Sequence, residues 1–176
     1  MRIKHLVFTC FILLGAVFAS AQNSIAVVNF QRVLFESEAA VAATNTLQPE
    51  IEAIKKQIGE IETRVTALKD KLAIDGATLT EEEQSLRQEE IQQLLINRSN
   101  AINAGQQKQT NSRNDFVNQY KNVVQQLINE LAAERGYNLV VDMSTVVYID
   151  GIANITEEAI ARFDKLFQNN EITPLP

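Results

Sequence analysis

A repeat of large apolar residues runs through the stretch IEAIKKQIGEIETRVTALKDKL, residues 51 to 72. These residues follow one another at alternating steps of three and four. This is the a/d pattern of a coiled coil, because a slightly underwound helix keeps such positions on one seam. The repeat predicts a long helix that packs against a partner helix along the seam residues Leu47, Ile51, Ile54, Ile58, Ile61, Val65, Leu68 and Leu72. Apolar residues at this spacing are usually packing residues, so any function must come from how the rod is used.

The partner helix is predicted directly downstream. Gly76 suits a left-handed position just past the first helix, and Thr80 with Glu83 has the spacing of a capping box that starts the second. Gly136 ends it, and 55 helical residues would extend roughly 80 Å. A connection of about five residues favours an antiparallel hairpin. The apolar stripe of the returning helix is interrupted by the polar tract NAGQQKQTNSRN, which we interpret as a weakly held helix.

Short β-branched runs flank the hairpin. SIAVVNF precedes it, and the runs 139–141 and 146–149 follow it, around the turn-prone segment DMS. A final helix is predicted in NITEEAIARFDKLF, with Thr156 as its cap. Three short strands cannot bury both faces within one chain, so we expect the base of the hairpin to oligomerise. The predicted fold class is α+β, mainly α.

Residues 1 to 21 have the organisation of a secretory signal peptide: the basic start MRIKH, an apolar run and the small-residue cleavage site ASA. We expect the mature chain to begin at Gln22. Cleavage removes the only cysteine and the only histidine, which excludes disulfides and the usual transition-metal ligands and Cys or His catalysts. The sequence therefore predicts no catalytic residues, no metal and no cofactor.

Charge narrows the partners further. Loss of Arg2 and Lys4 leaves 14 Lys+Arg against 22 Asp+Glu, a net charge of about −8. Nucleic acid is an improbable partner, because phosphate binding needs clustered cations. The six glycines are scattered and form no phosphate-binding loop, so no nucleotide is expected either.

The segments SIAVVNFQRVLFES and YNLVVDMSTVVYIDGIANITEEAI, with a long helical hairpin between them, resemble the Skp/OmpH family of periplasmic chaperones. The order of elements is similar over nearly all of the mature chain. The resemblance implies a homotrimer in which strands of three chains form a small body and three hairpin arms enclose a cavity. It also implies that the cavity holds unfolded outer-membrane β-barrel proteins in the periplasm without ATP.

On this basis the chain divides into a signal peptide (1–21), a body (22–36 and 136–170), a hairpin arm (37–135, tip near 75–79) and a flexible tail (171–176). The expected contacts of the trimer body are Ile25, Val27, Leu139, Val140, Val141 and Val147. Arm residues outside the first helix's seam are the candidates for client contacts, namely Leu86, Leu94, Ile102 and Phe116.

The arm tip departs from the family, whose members often have basic arms. Between Asp75 and Glu90 there are six acids against Arg87 alone, about −5. Like charges repel over roughly a Debye length, about 8 Å at physiological salt, which argues against docking on an anionic membrane surface. A different class of function also fits the sequence: an exported coiled-coil adaptor or spacer of the cell envelope, whose arms bind one folded partner.

A hinge is predicted in each arm. If the turn centres near Ala77, Pro49 lies opposite Gly105. Two helix breakers then fall at one level, where the residues of both helices that face the seam are small or polar. Pro49 then either starts a new helix in its first turn or kinks a longer one. We expect the arm to bend there.

Overall fold

The computed structural model describes residues 24 to 173 and has a mainly helical α+β fold, as predicted. The predicted signal peptide lies outside the described residues. The elements in chain order are β1 (Ile25–Val28), α1 (Phe30–Phe35), α2 (Glu38–Asp75), α3 (Glu81–Arg135), β2 (Leu139–Asp142), β3 (Ala153–Asn154) and α4 (Thr156–Gln168).

Helices α2 and α3 form the long hairpin, and local signals set its ends. The capping box is present, since the Glu83 N–H donates to Thr80 Oγ1 (3.3 Å) and the Thr80 N–H donates to the Glu83 carboxylate (2.9 Å). Gly136 ends α3 in a left-handed conformation, with φ 71°. The prediction of a left-handed Gly76 is wrong: its φ is −55°, because its N–H still bonds to the Leu72 carbonyl as in a continuing helix.

The strands form one small parallel sheet in the order β2-β1-β3. The strand predicted at 146–149 is not formed, and Val147 and Tyr148 are exposed instead. The central strand β1 already pairs on both sides, with β2 and with the two-residue β3. A further strand could therefore join the sheet only at the outer edge of β2 or of β3.

The main core lies where the hairpin meets the sheet. Phe116, Tyr120 and Leu131 of α3 pack there with Leu34 of α1 and Phe163 of α4. All five side chains are almost completely buried. The body therefore reaches well into α2 and α3, beyond the boundaries at 36 and 136 that the sequence suggested.

The C-terminal segment fastens onto this core. Asn154, rather than Thr156, binds the first helical N–H of α4, through its side-chain oxygen (3.0 Å). Thr156 is buried, and its hydroxyl accepts a hydrogen bond from the Asn29 N–H (2.9 Å). The prediction of a flexible tail is wrong for residues 171 to 173, because Ile172 packs on the core and the Thr173 carbonyl accepts from Tyr120 Oη (2.7 Å). Residues 174 to 176 are outside the described part.

Candidate functional site

The seam of the hairpin holds the arm together. Ile51 and Val65 are buried, and the other six seam residues of α2 are half-buried. Val65 packs with Ile91 and Leu94 of α3, and Ile61, Leu68 and Leu72 pack around this cluster. Because the seam residues of α2 pack against α3, the surfaces left for other molecules are the flanks of the arm.

Ion pairs between the helices show which residues face each other. Glu50 pairs with Lys108 and Glu62 with Arg98, and a β carbon added to Gly105 would lie 3.4 Å from Ile54 Cγ2. The prediction that Pro49 lies opposite Gly105 is therefore wrong.

The two helix breakers are displaced along the arm by five residues, about 7 Å in a helix. Pro49 also does not start a helix, since α2 begins at Glu38 and continues through it.

The seam is thin at the root of the arm, where α2 carries small or polar residues. A cleft of about 450 Å³ opens there between α2 and α3, and we call it the root cleft. Its lining residues are Phe35, Ala40, Ala43, Thr44, Leu47, Gln48, Ile51, Lys55, Gln109, Ser112, Arg113 and Phe116. A second opening of about 340 Å³ lies beside it and shares Ala43, Leu47 and Ser112. Gln109, Ser112 and Arg113 of this lining belong to the polar tract of α3 that interrupts the repeat.

The candidates for client contacts separate by burial. Leu86 is exposed and Ile102 is half-buried, so both are accessible. Leu94 packs in the seam, and Phe116 packs in the main core and reaches the surface only as part of the lining of the root cleft.

Two accessible apolar residues of α3 were missed, Leu95 and Ile96. Leu94 packs in the seam, whereas its neighbour Leu95 is exposed. A helical repeat cannot distinguish two consecutive leucines, so only the packed structure separates them.

The outer face of the sheet is apolar. Side chains alternate along a strand, and Val140 packs on the main core, so Leu139 and Val141 point to the opposite face. Ile25 pairs with Leu139 and Val27 with Val141, so these four residues share the outer face.

Exposure differs among the body residues predicted from the sequence. Ile25 and Leu139 are exposed, Val27 is buried, and Val147, in the segment between β2 and β3, is fully exposed. Val140 differs from the others because it serves the subunit's own core.

Within residues 24 to 173, the structure brings together no group of three or more acidic, histidine or cysteine side chains that would suit a metal ion. In the same part of the chain, no helix combines the length and apolar character needed to cross a bilayer.

Comparison with known proteins identifies the family. The family model for outer membrane protein (OmpH-like) matches residues 24 to 163, which spans the sheet, the hairpin and most of α4. The chain belongs to the OmpH-like family. Its match to this family includes both the arm and the core into which the arm is rooted.

Several named relatives match over most of their own length. A Skp-like protein of Pseudomonas aeruginosa is 27% identical over 177 residues, covering 90% of this chain and 98% of the relative. The chaperone protein Skp of Photorhabdus laumondii is 25% identical, covering 81% and 86%. The chaperone protein Skp of Pectobacterium atrosepticum is 22% identical, covering 85% and 90%.

Proposed function

We propose that this OmpH-like protein is a periplasmic chaperone that holds unfolded outer-membrane β-barrel proteins without ATP. The observation that carries the proposal is the hairpin itself: a 55-residue α3 packed on α2, projecting from a small core, in a chain of the OmpH-like family. Two of the relatives carry the name chaperone protein Skp. A long arm offers an extended surface, which suits many weak contacts with an extended client.

The flanks of the arm would supply those contacts. Leu95 and Ile102 are seven residues apart on α3, so they lie on one flank, and Ile96 and Leu86 add exposed apolar surface nearby. An unfolded barrel exposes apolar side chains that cost about 25 cal/mol per Å² in water. Several such contacts inside one enclosure hold a client although each is weak.

The enclosure requires more than one chain, and we propose a homotrimer assembled through the outer face of the sheet. Ile25 and Leu139 leave apolar surface uncovered there, and Val147 and Tyr148 are exposed in the segment between β2 and β3. The segment 146–149 has a strand-forming sequence and no strand partner within the described chain, so a neighbouring subunit is the natural partner for it. Three arms rooted in one body would then surround a shared cavity.

Flexibility at the arm root fits this role. We propose that the arm bends where the root cleft interrupts the seam, close to Pro49 and Gly105. Proline and glycine within helices cost about 3 and 1 kcal/mol, respectively. The isoleucine-rich section nearer the tip would remain rigid, and bending at the root would adjust the cavity to clients of different size.

Suppression of aggregation tests the proposed function. A β-barrel protein unfolded in urea is diluted into buffer with and without the purified protein, and light scattering is followed. We expect scattering to fall when the protein is present, and we expect no complex with the same barrel already folded in detergent. Binding of a folded partner with no effect on the unfolded barrel would instead favour the adaptor or spacer.

A pair of variants tests where the client binds. Leu95→Gln combined with Ile96→Gln should weaken suppression, because both side chains are exposed on the arm flank. The matched control is Val41→Gln, which removes an exposed apolar side chain near the base of α2. Equal loss in both variants would contradict binding by the arm flanks.

A further inference from the structure

The root cleft has the composition of a binding site as well as that of a weak point. Phe35, Leu47, Ile51 and Phe116 give it apolar walls, and its volume of about 450 Å³ lies within the usual range for ligand pockets, about 300–1,000 Å³. Ala40 and Ala43 line it without filling it.

Arg113 stands at the edge of this cleft in an unusual electrostatic situation. Its guanidinium lies over the Phe35 ring, 3.8 Å from the ring centroid. The other arginines of residues 24 to 173 each form an ion pair with a carboxylate, whereas Arg113 forms none within that part of the chain. A stacked guanidinium still has its N–H groups free at the ring edge, where they can bind a carboxylate in a fork.

The remaining rim is rich in groups that pair with a polypeptide backbone. Gln48 and Gln109 have amides that both donate and accept hydrogen bonds, and Ser112 adds a hydroxyl. An acyl chain with an anionic head would use the cation and the apolar walls but would form no hydrogen bonds with the remaining capacity of these groups, of which Gln48 already donates to Glu52 (2.9 Å). A peptide satisfies all three kinds of group, so the rim favours a polypeptide ligand.

We propose that the root cleft anchors unfolded polypeptide by taking one large apolar side chain between α2 and α3 while a neighbouring Asp or Glu carboxylate binds Arg113. This inference rests on the proposed function, because it names the kind of client segment that the chaperone grips most firmly. The overall negative charge of the protein repels acidic chains, and Arg113 supplies a local exception at the mouth of an apolar cleft.

Binding of short peptides tests the anchor. Three N-acetylated, C-amidated peptides carry a neutral dansyl group: one with the pair Phe-Asp in a Gly/Ser background, one with Phe-Asn, and one with Gly-Asp. Fluorescence anisotropy with the purified protein should give the tightest binding for Phe-Asp, because only this peptide fills the cleft and meets the cation. Equal binding of the three peptides overturns the proposal.

Protein variants locate the binding. Arg113→Gln should weaken the Phe-Asp peptide about tenfold, the size expected for one charge-assisted hydrogen-bonded pair, and leave Phe-Asn unchanged. Arg113→Lys should restore part of the loss. Thr44→Phe, which places a ring over the cleft from an exposed position, should weaken both Phe peptides.

Lys121→Gln is the matched control, since it removes one exposed cation from α3 outside the cleft. A loss in this variant equal to that in Arg113→Gln would mean diffuse electrostatics and overturn the proposal. Tight binding of laurate that displaces the Phe-Asp peptide would also overturn the proposal, because the cleft would then bind an acyl chain rather than a polypeptide.

Circular dichroism melts of each variant separate lost binding from lost folding. If the wild-type protein suppresses barrel aggregation but binds all three peptides equally, the anchor is rejected and the proposed function stands. Failure of the wild-type protein to suppress aggregation would reject the proposed function itself, whatever the peptides do.

Discussion

Replacing Gly105 by alanine should stiffen the root of the arm. Gly105 lies inside α3 and faces Ile54, and an added β carbon would lie 3.4 Å from Ile54 Cγ2 and 3.9 Å from Cδ1. These are ordinary van der Waals distances, so no neighbour has to move. The gain is then the difference in helix propensity between glycine and alanine, about 1 kcal/mol.

The matched control is Gly59→Ala in α2. Gly59 is exposed, and a β carbon there would meet nothing within 4 Å. Both substitutions carry the same propensity gain, so both should raise the melting temperature by about 2–4 °C for a chain of this size. Only Gly105→Ala adds a contact across the weak part of the seam.

Hydrogen exchange with mass spectrometry distinguishes the two variants. In Gly105→Ala, amides of residues 105 to 114 should exchange about fivefold more slowly than in the wild type, the factor that corresponds to 1 kcal/mol of local opening. If the hinge serves function, Gly105→Ala should lose more of the wild type's ability to hold large barrels than of its ability to hold small ones. A lowered melting temperature, or equal exchange of this segment in the two variants, would refute the reasoning.

Three further predictions concern the body. Leu139→Asp should reduce the light-scattering mass from that of the proposed trimer to that of a monomer while the subunit stays folded, because Leu139 is 52% exposed on the outer face of the sheet; an unchanged mass would exclude this face as the interface. Phe163→Ala should lower the free energy of unfolding in urea by about 3–5 kcal/mol, because this fully buried ring packs edge-on to Tyr120, with 5.5 Å between the ring centroids. A loss of less than about 1 kcal/mol would contradict its place in the core. Arg162 donates a hydrogen bond to Glu134 (2.9 Å) and thereby holds the pKa of Glu134 below its ordinary value of 4.5. The ion pair of Glu134 with Arg162 therefore stabilises the fold fully above pH 4.5, and this stabilisation is lost as the pH falls through the lowered pKa of Glu134. The urea midpoint should therefore drop more steeply below pH 4.5 in the wild type than in Arg162→Gln.

The sequence by itself determined the arm. A heptad repeat, a capping box at Thr80 and a terminal glycine at Gly136 act within a few residues of themselves, and the structure shows the helices they predict. The interruption of the seam was equally readable, because small and polar residues cannot form large apolar knobs wherever they are placed. The class of fold followed from these local signals.

Only the tertiary structure decided how distant elements meet. The register of the hairpin depends on which large side chains interlock across the seam, so the midpoint of the turn misplaced Pro49 relative to Gly105 by about 7 Å. The run 146–149 is strand-like in sequence, but a strand also requires an edge to pair with, and in the described fold this run pairs with neither outer edge of the sheet, β2 or β3.

The root cleft has the same origin. Arg113 and Phe35 are 78 positions apart, and neither residue carries a local signal that the other lies near it. They meet because the core places α1 beside α3 at the level where the polar tract of α3 faces the start of the seam.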